Sequence, residues 1–155
     1  MNFEKYRSYQ FVPITSSVLE DIQISEDKTI THTIYNDNWT AILFDPMINK
    51  GIVTLELLNI NDLLEVGIAI DSIRFDRNER PQAKGDGLIV RYNCNGSIQH
   101  ISDEIEGNSK FFEDGNRVTL EFNMDSNPRS LTFFYECREQ KNYVVNIPES
   151  VRVYV

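Results

Sequence analysis

Asp114, Glu121, Asp125 and Glu136 fall within one stretch, Phe111 to Glu136, and carboxylates that dense could form an acid/base set. Hydrolysis of a sugar bond uses two carboxyls roughly 5 to 9.5 Å apart, one giving a proton and one activating water or attacking directly. On β-sandwich scaffolds such pairs commonly sit on one strand as Glu-x-Asp-x-x-Glu, and this chain contains no Glu-x-Asp. Glu121 and Asp125 share a strand face at i and i+4, which separates them by roughly 13 Å at about 3.3 Å per residue. The expectation is that these four are turn formers and solvent-facing punctuation, and that the catalytic set is none.

Nucleophilic chemistry has equally little to work with. A Ser or Cys nucleophile needs a base, and the chain has two histidines, His32 and His100, both on expected strands. Cys94 and Cys137 lie far apart, with neither a Gly-rich elbow nor a helix N-terminus to lower a thiol pKa. Without a secretory signal, reduced thiols are the expectation. Asn36-Asp37-Asn38 and Asp125-Ser126-Asn127 carry oxygen ligands but read as turn formers. Gly85-Asp86-Gly87 lacks the third glycine and following helix of a phosphate loop. No metal and no cofactor is expected.

The elements that hold these residues repeat with period two. Val118, Leu120, Phe122 and Met124 alternate with Thr119, Glu121, Asn123 and Asp125; after Ser126-Asn127-Pro128-Arg129, Leu131, Phe133 and Tyr135 alternate again. KTITHTIY, WTAILF, GIVTLELL, LLEVGIAID, NYVVNI and VRVYV read as further strands. In LIVRYNCNGSIQHI, Asn95-Gly96 predicts a tight hairpin with positive φ angles. SSVLEDI carries a weak capping signal for a short helix or turn. About a dozen short strands predict an all-β, antiparallel two-sheet β-sandwich. The 155 residues suit one compact domain, divided here into an N-terminal segment (1–28), expected to add an edge strand or short helix, and a sandwich domain (29–155).

Charge narrows the partners. The net charge of −9 and the lack of a basic stripe argue against nucleic acid and anionic membranes. No segment has the roughly 20 apolar residues of a spanning helix. A monomeric cytoplasmic protein with a protein or peptide ligand is the expectation.

From Trp39 onward the order of motifs resembles the SPRY domain, the concanavalin-like jelly-roll sandwich of butyrophilin and tripartite-motif proteins. Gly51-Ile52-Val53-Thr54-Leu55-Glu56-Leu57 resembles its glycine followed by a Glu-containing strand, and Val66-Gly67-Ile68-Ala69 its Val-Gly-Val-Ala strand. Tyr92 to His100 resembles its glycine-centred hairpin, and Val118 to Asp125 its long strand ending in Asp. Ser130-Leu131-Thr132-Phe133-Phe134 and Ile147-Pro148 match its later pieces. The chain departs from the pattern at Asn116, at Ile52-Val53 and at Glu136-Cys137-Arg138, where an Asn-Gly is expected.

That resemblance implies a non-enzymatic protein-interaction module that recognises a peptide or protein surface through inter-strand loops. The one long polar connection, Asp71 to Gly87, holds four cations (Arg74, Arg77, Arg80 and Lys84) in an acidic chain. Arginine and aromatic side chains dominate binding hot spots, so Arg74, Phe75, Arg77 and Arg80, with Tyr35 from a neighbouring loop, are the expected partner-binding residues. Trp39 is expected in the core. The alternative is a carbohydrate-binding, lectin-like module in which Tyr35, Asn36, Asp37 and Trp39 form an aromatic and polar platform.

Overall fold

A computed structural model describes residues 9–33 and 37–155. One sheet has the order β12 (Arg138–Glu139), β11 (Ser130–Tyr135), β10 (Arg117–Asn123), β5 (Ile52–Leu58), with β13 (Val144–Val145) also pairing β11. The other runs β14 (Val151–Tyr154), β6 (Glu65–Ile70), β7 (Ile89–Asn93), β8 (Ile98–His100), β9 (Asp103–Ile105). All pairings are antiparallel. The alternation in the sequence is the alternation of the sandwich. Val118, Leu120 and Phe122 on β10 and Leu131 and Phe133 on β11 are fully buried against Val66, Ile68, Val90, Tyr92 and Val153 of the facing sheet. Each such side chain contributes on the order of 1.5–3 kcal/mol by leaving water.

β6 breaks the alternation because both its faces are covered. Val66 and Ile68 enter the core between the sheets, while Ala69 points outward into a second core with Ile89 and Tyr154. That second core is supplied by the N-terminal part of the chain: Val18, Ile22 and Ala41 to Phe44, joined by Phe75. Gly67 sits between the two cores under the Tyr154 ring, where a Cβ would lie 2.0 Å from the Val90 carbonyl oxygen.

The N-terminal segment forms a 3-10 turn over Ser17–Asp21, where the weak helix signal lay. β1 (Val12–Pro13) pairs with β4 (Phe44–Asp45) in a two-stranded sheet of its own, separate from both five-stranded sheets. β2 (Ile22–Ile24) pairs with β3 (Ile30–His32), so this hairpin spans the expected division at residues 28 and 29. WTAILF is not a continuous strand; its backbone instead runs beside β14, with Ile42 N–H donating to the Val155 carbonyl at 2.7 Å.

The glycine-centred hairpin differs from a two-residue turn. Gly96 N–H bonds the Asn93 carbonyl and Asn93 N–H the Ser97 carbonyl, so three residues, Cys94 to Gly96, form the loop and only Gly96 has positive φ (91°). Tertiary contact as well as φ requires glycine there: a Cβ on Gly96 would stand 2.4 Å from the Asn108 carbonyl oxygen of the loop that crosses it. The true two-residue turn joins β11 to β12 through Glu136 and Cys137, both left-handed (φ 47° and 62°), in place of the expected Asn-Gly.

Candidate functional site

The strand register disperses Asp125, Glu121 and Glu136, while Asp114 lies in the turn before β10. Asp125 accepts from Gly51 N–H at 2.8 Å beyond the end of β10, and Glu136 accepts from Arg117 N–H at 2.6 Å at its start. Six residue steps along β10 put these two roughly 20 Å apart, well outside glycosidase spacing. Glu121 stands mid-strand between Thr54 and Thr132. Both histidines bond backbone carbonyls: His32 those of Thr33 and Asn38, at 2.8 and 3.0 Å, and His100 that of Ile89. Cys94 and Cys137 are free thiols, and burial pushes that of Cys94 up, away from thiolate. Among the described residues no three His, Cys, Asp or Glu side chains gather closely enough to hold a metal ion, and no helix is long and apolar enough to cross a membrane.

A different polar group is buried on the outer face of the second sheet. Glu65 lies 3.8 Å from Arg91 and accepts from the Tyr154 hydroxyl at 3.1 Å. Burial holds its carboxyl above the usual range despite the neighbouring guanidinium. Register places Tyr154 beside Gly67 and Gly67 beside Arg91, so the group is a row across three strands.

The long connection from β6 to β7 is ordered by its own short-range bonds. Glu79 accepts from Asp76 N–H at 2.8 Å and pairs with Lys84 at 2.9 Å. Pro81 opens a 3-10 turn, Pro81–Lys84, and holds Arg80 extended (φ −80°, ψ 141°), the conformation a residue before proline prefers. Arg80 thereby projects over the Trp39 ring, its guanidinium carbon 4.2 Å from the centroid. Asn78 completes the clamp by accepting from Trp39 N–H at 3.0 Å.

The structure sorts the expected partner-binding residues. Phe75 is a correction: it is 3% exposed, edge-on to Tyr154 in the second core, and presents no surface to a ligand. The apolar floor there is built by segments distant in sequence, which draw in the nearest aromatic. Arg77 is committed internally. Its fork grips the buried Asp21 carboxylate at 2.9 and 2.8 Å, with Glu20 at 3.2 Å and Asn38 also donating to Asp21. These partners raise the Arg77 pKa, the Asp21 hydrogen bonds most. Arg74 is exposed and curls onto the carbonyls of Asp71 and Ile73. Arg80 is exposed beside Trp39, which is 40% exposed rather than in the core. Tyr35 lies outside the described residues. Among the described residues, neither Arg74 nor Arg80 is in an ion pair.

No protein-family model matches the sequence, and no curated protein does. The architecture does find relatives. A crystal structure of the TRIM65 PSpry domain is similar, with TM-score 0.71 over 96% of this chain and 84% of that one at 11% identity. The crystal structure of the SPRY domain of human HERC1 is similar with TM-score 0.59 over 86% and 82% at 13% identity. The chain has a SPRY-type fold. Within it, Trp39 and Phe75 both lie on the other side of the surface from the one expected: Trp39 is exposed and Phe75 is buried. For Trp39 the available signal was its position between a polar turn and an apolar run, which fits a boundary residue equally well.

Proposed function

We propose that this SPRY-type domain is a protein-interaction module that binds a peptide or protein segment at the Trp39–Arg80 platform. The observation that carries the reading is an exposed arginine held over the ring of an exposed tryptophan, 4.2 Å from its centroid, on a loop tied by its own internal bonds. Trp and Arg are the residues most enriched at binding hot spots, and a preformed platform avoids the ordering cost of association. Arg74 and Arg80 are cations without carboxylate partners among the described residues, in a chain of net charge −9. The segment this end suits is therefore acidic, with an apolar anchor.

The test is Arg80→Glu and Trp39→Ala, measured by titration calorimetry against a partner identified by affinity purification and mass spectrometry. Each variant weakens binding at least roughly tenfold with unchanged circular dichroism. Undiminished binding by both removes the platform from the reading. Arg77→Glu is unsuitable, because it sets a second carboxylate against Asp21. The half-exposed Trp39 near exposed Asp37 also keeps a lectin-like reading in play. Arg80 occupies one ring face that a sugar would stack on, and competable signal on a glycan array would favour the sugar over the peptide.

A further inference from the structure

The opposite end of the sandwich carries a second surface of contrasting character. β6 starts where the 59–64 loop ends and finishes where the 71–87 loop begins, so its length puts these ends roughly 17 Å apart. At the 59–64 end, Leu58, Ile60, Leu64 and Phe112 are each near half exposed. Single exposed apolar side chains are ordinary, but several together on one fixed scaffold mark an interaction site. The scaffold is fixed by Asn59, which is 1% exposed. Its amide donates to the carbonyls of Phe111 (2.9 Å) and Glu113 (3.3 Å), and its side-chain oxygen accepts from Leu63 N–H at 3.1 Å. Backbone bonds from Asn59 to Asn116 and from Gly115 to Asn59 knit the same two loops, and Cys94 bonds both Leu64 and Phe111. The apolar side chains therefore flank residues that are locked together.

Charge at the rim selects the occupant. Asp62, Glu113 and Asp114 border this end with Lys110, all exposed and in no ion pair among the described residues, while the exposed Arg117, opposite Leu58, is already paired with Glu56 at 2.7 Å. We infer that this end docks a protein segment that presents apolar side chains bracketed by Lys or Arg. A second copy docked patch to patch would set the three carboxylates against their own images, and like charges across an interface are costly. Nucleic acid and anionic lipid are repelled by the same rim. This surface is distinct from the Trp39–Arg80 platform and has the opposite charge preference.

A random dodecapeptide library displayed on phage and panned against the intact chain tests the inference, with enriched peptides synthesised and titrated by calorimetry. Peptides pairing Lys or Arg with large apolar residues are enriched. Their affinity falls as salt rises, and it drops at least roughly tenfold with Ile60→Ser, Phe112→Ser and Asp62→Lys while surviving Arg80→Glu. Phe112 and Ile60 are exposed, so these variants keep the fold, which circular dichroism verifies. Three results overturn the inference. One is enriched peptides without basic residues; another is binding indifferent to Phe112→Ser, including binding lost only with Arg80→Glu. The third is self-association in sedimentation that Phe112→Ser abolishes, which makes a second copy the occupant.

Discussion

Asn59→Ala isolates the residue that ties the two loops of the apolar end. The substitution removes one buried hydrogen bond, to the Phe111 carbonyl, and two part-buried ones, to the Glu113 carbonyl and from Leu63 N–H. A buried group left without a partner costs about 1–3 kcal/mol, and each part-buried bond contributes about 0.5–1.5 kcal/mol, so the loss is about 4 kcal/mol. With a urea m-value of about 2 kcal/mol/M, the midpoint falls by about 2 M with m unchanged. Equilibrium unfolding followed by far-ultraviolet circular dichroism reads this directly. Asn59→Asp sharpens the logic, because it keeps the size of the side chain but turns an acceptor toward two carbonyl oxygens. It is the more damaging of the two at neutral pH. An Asn59→Ala midpoint within about 0.3 M of the parent, or Asn59→Asp milder than Asn59→Ala, would refute the assignment of the amide as the tie.

Gly67→Ala places a Cβ 2.0 Å from the Val90 carbonyl oxygen and 2.9 Å from the Tyr154 ring, so β6 and β7 must part. The expected cost is about 3 kcal/mol or more, a fall of roughly 10 °C in Tm by calorimetry. Arg77→Met leaves Asp21 without its fork, and amide exchange across Val18 to Ile22 accelerates at least roughly tenfold while β10 amides keep their rates. The Glu65 carboxyl is held by burial above its ordinary value of 4.5, so the folded chain binds that proton more tightly than the unfolded chain does. Its contribution to stability is present below 4.5 and is lost as pH rises through the folded value. The stability of the parent relative to Glu65→Gln therefore declines as pH is raised from 4.5, and a flat difference would contradict the burial argument.

Much of the sandwich was legible in the residues. Alternation in Val118 to Met124 and Leu131 to Tyr135 is a local property, since successive side chains on a strand face opposite sides, and it placed those residues in the core correctly. The breaker Ser126 to Arg129 and the separated carboxylates followed from the same reasoning. The order of motifs also anticipated the SPRY-type architecture. What failed were expectations about loop side chains, because their burial depends on which distant segment arrives above them. Phe75 reads as a surface aromatic among arginines, yet Tyr154 from the last strand and the residues from Val18 to Phe44 close over it. Trp39 reads as core at the head of an apolar run, yet the second core is filled by Ala41 to Phe44 and the ring is left to Arg80.

By itself, then, the sequence determined most of the strands, their faces and the polar connections between them, WTAILF excepted, because the alternation of side chains is a local property. Only the tertiary structure decided which cations are spoken for and which end of the sandwich offers what. Arg77 is neutralised by a carboxylate 56 positions earlier, and Asn59 is satisfied by carbonyls more than 50 positions later. Such partners are chosen by how the sheets pack, and side-chain periodicity carries no record of that choice.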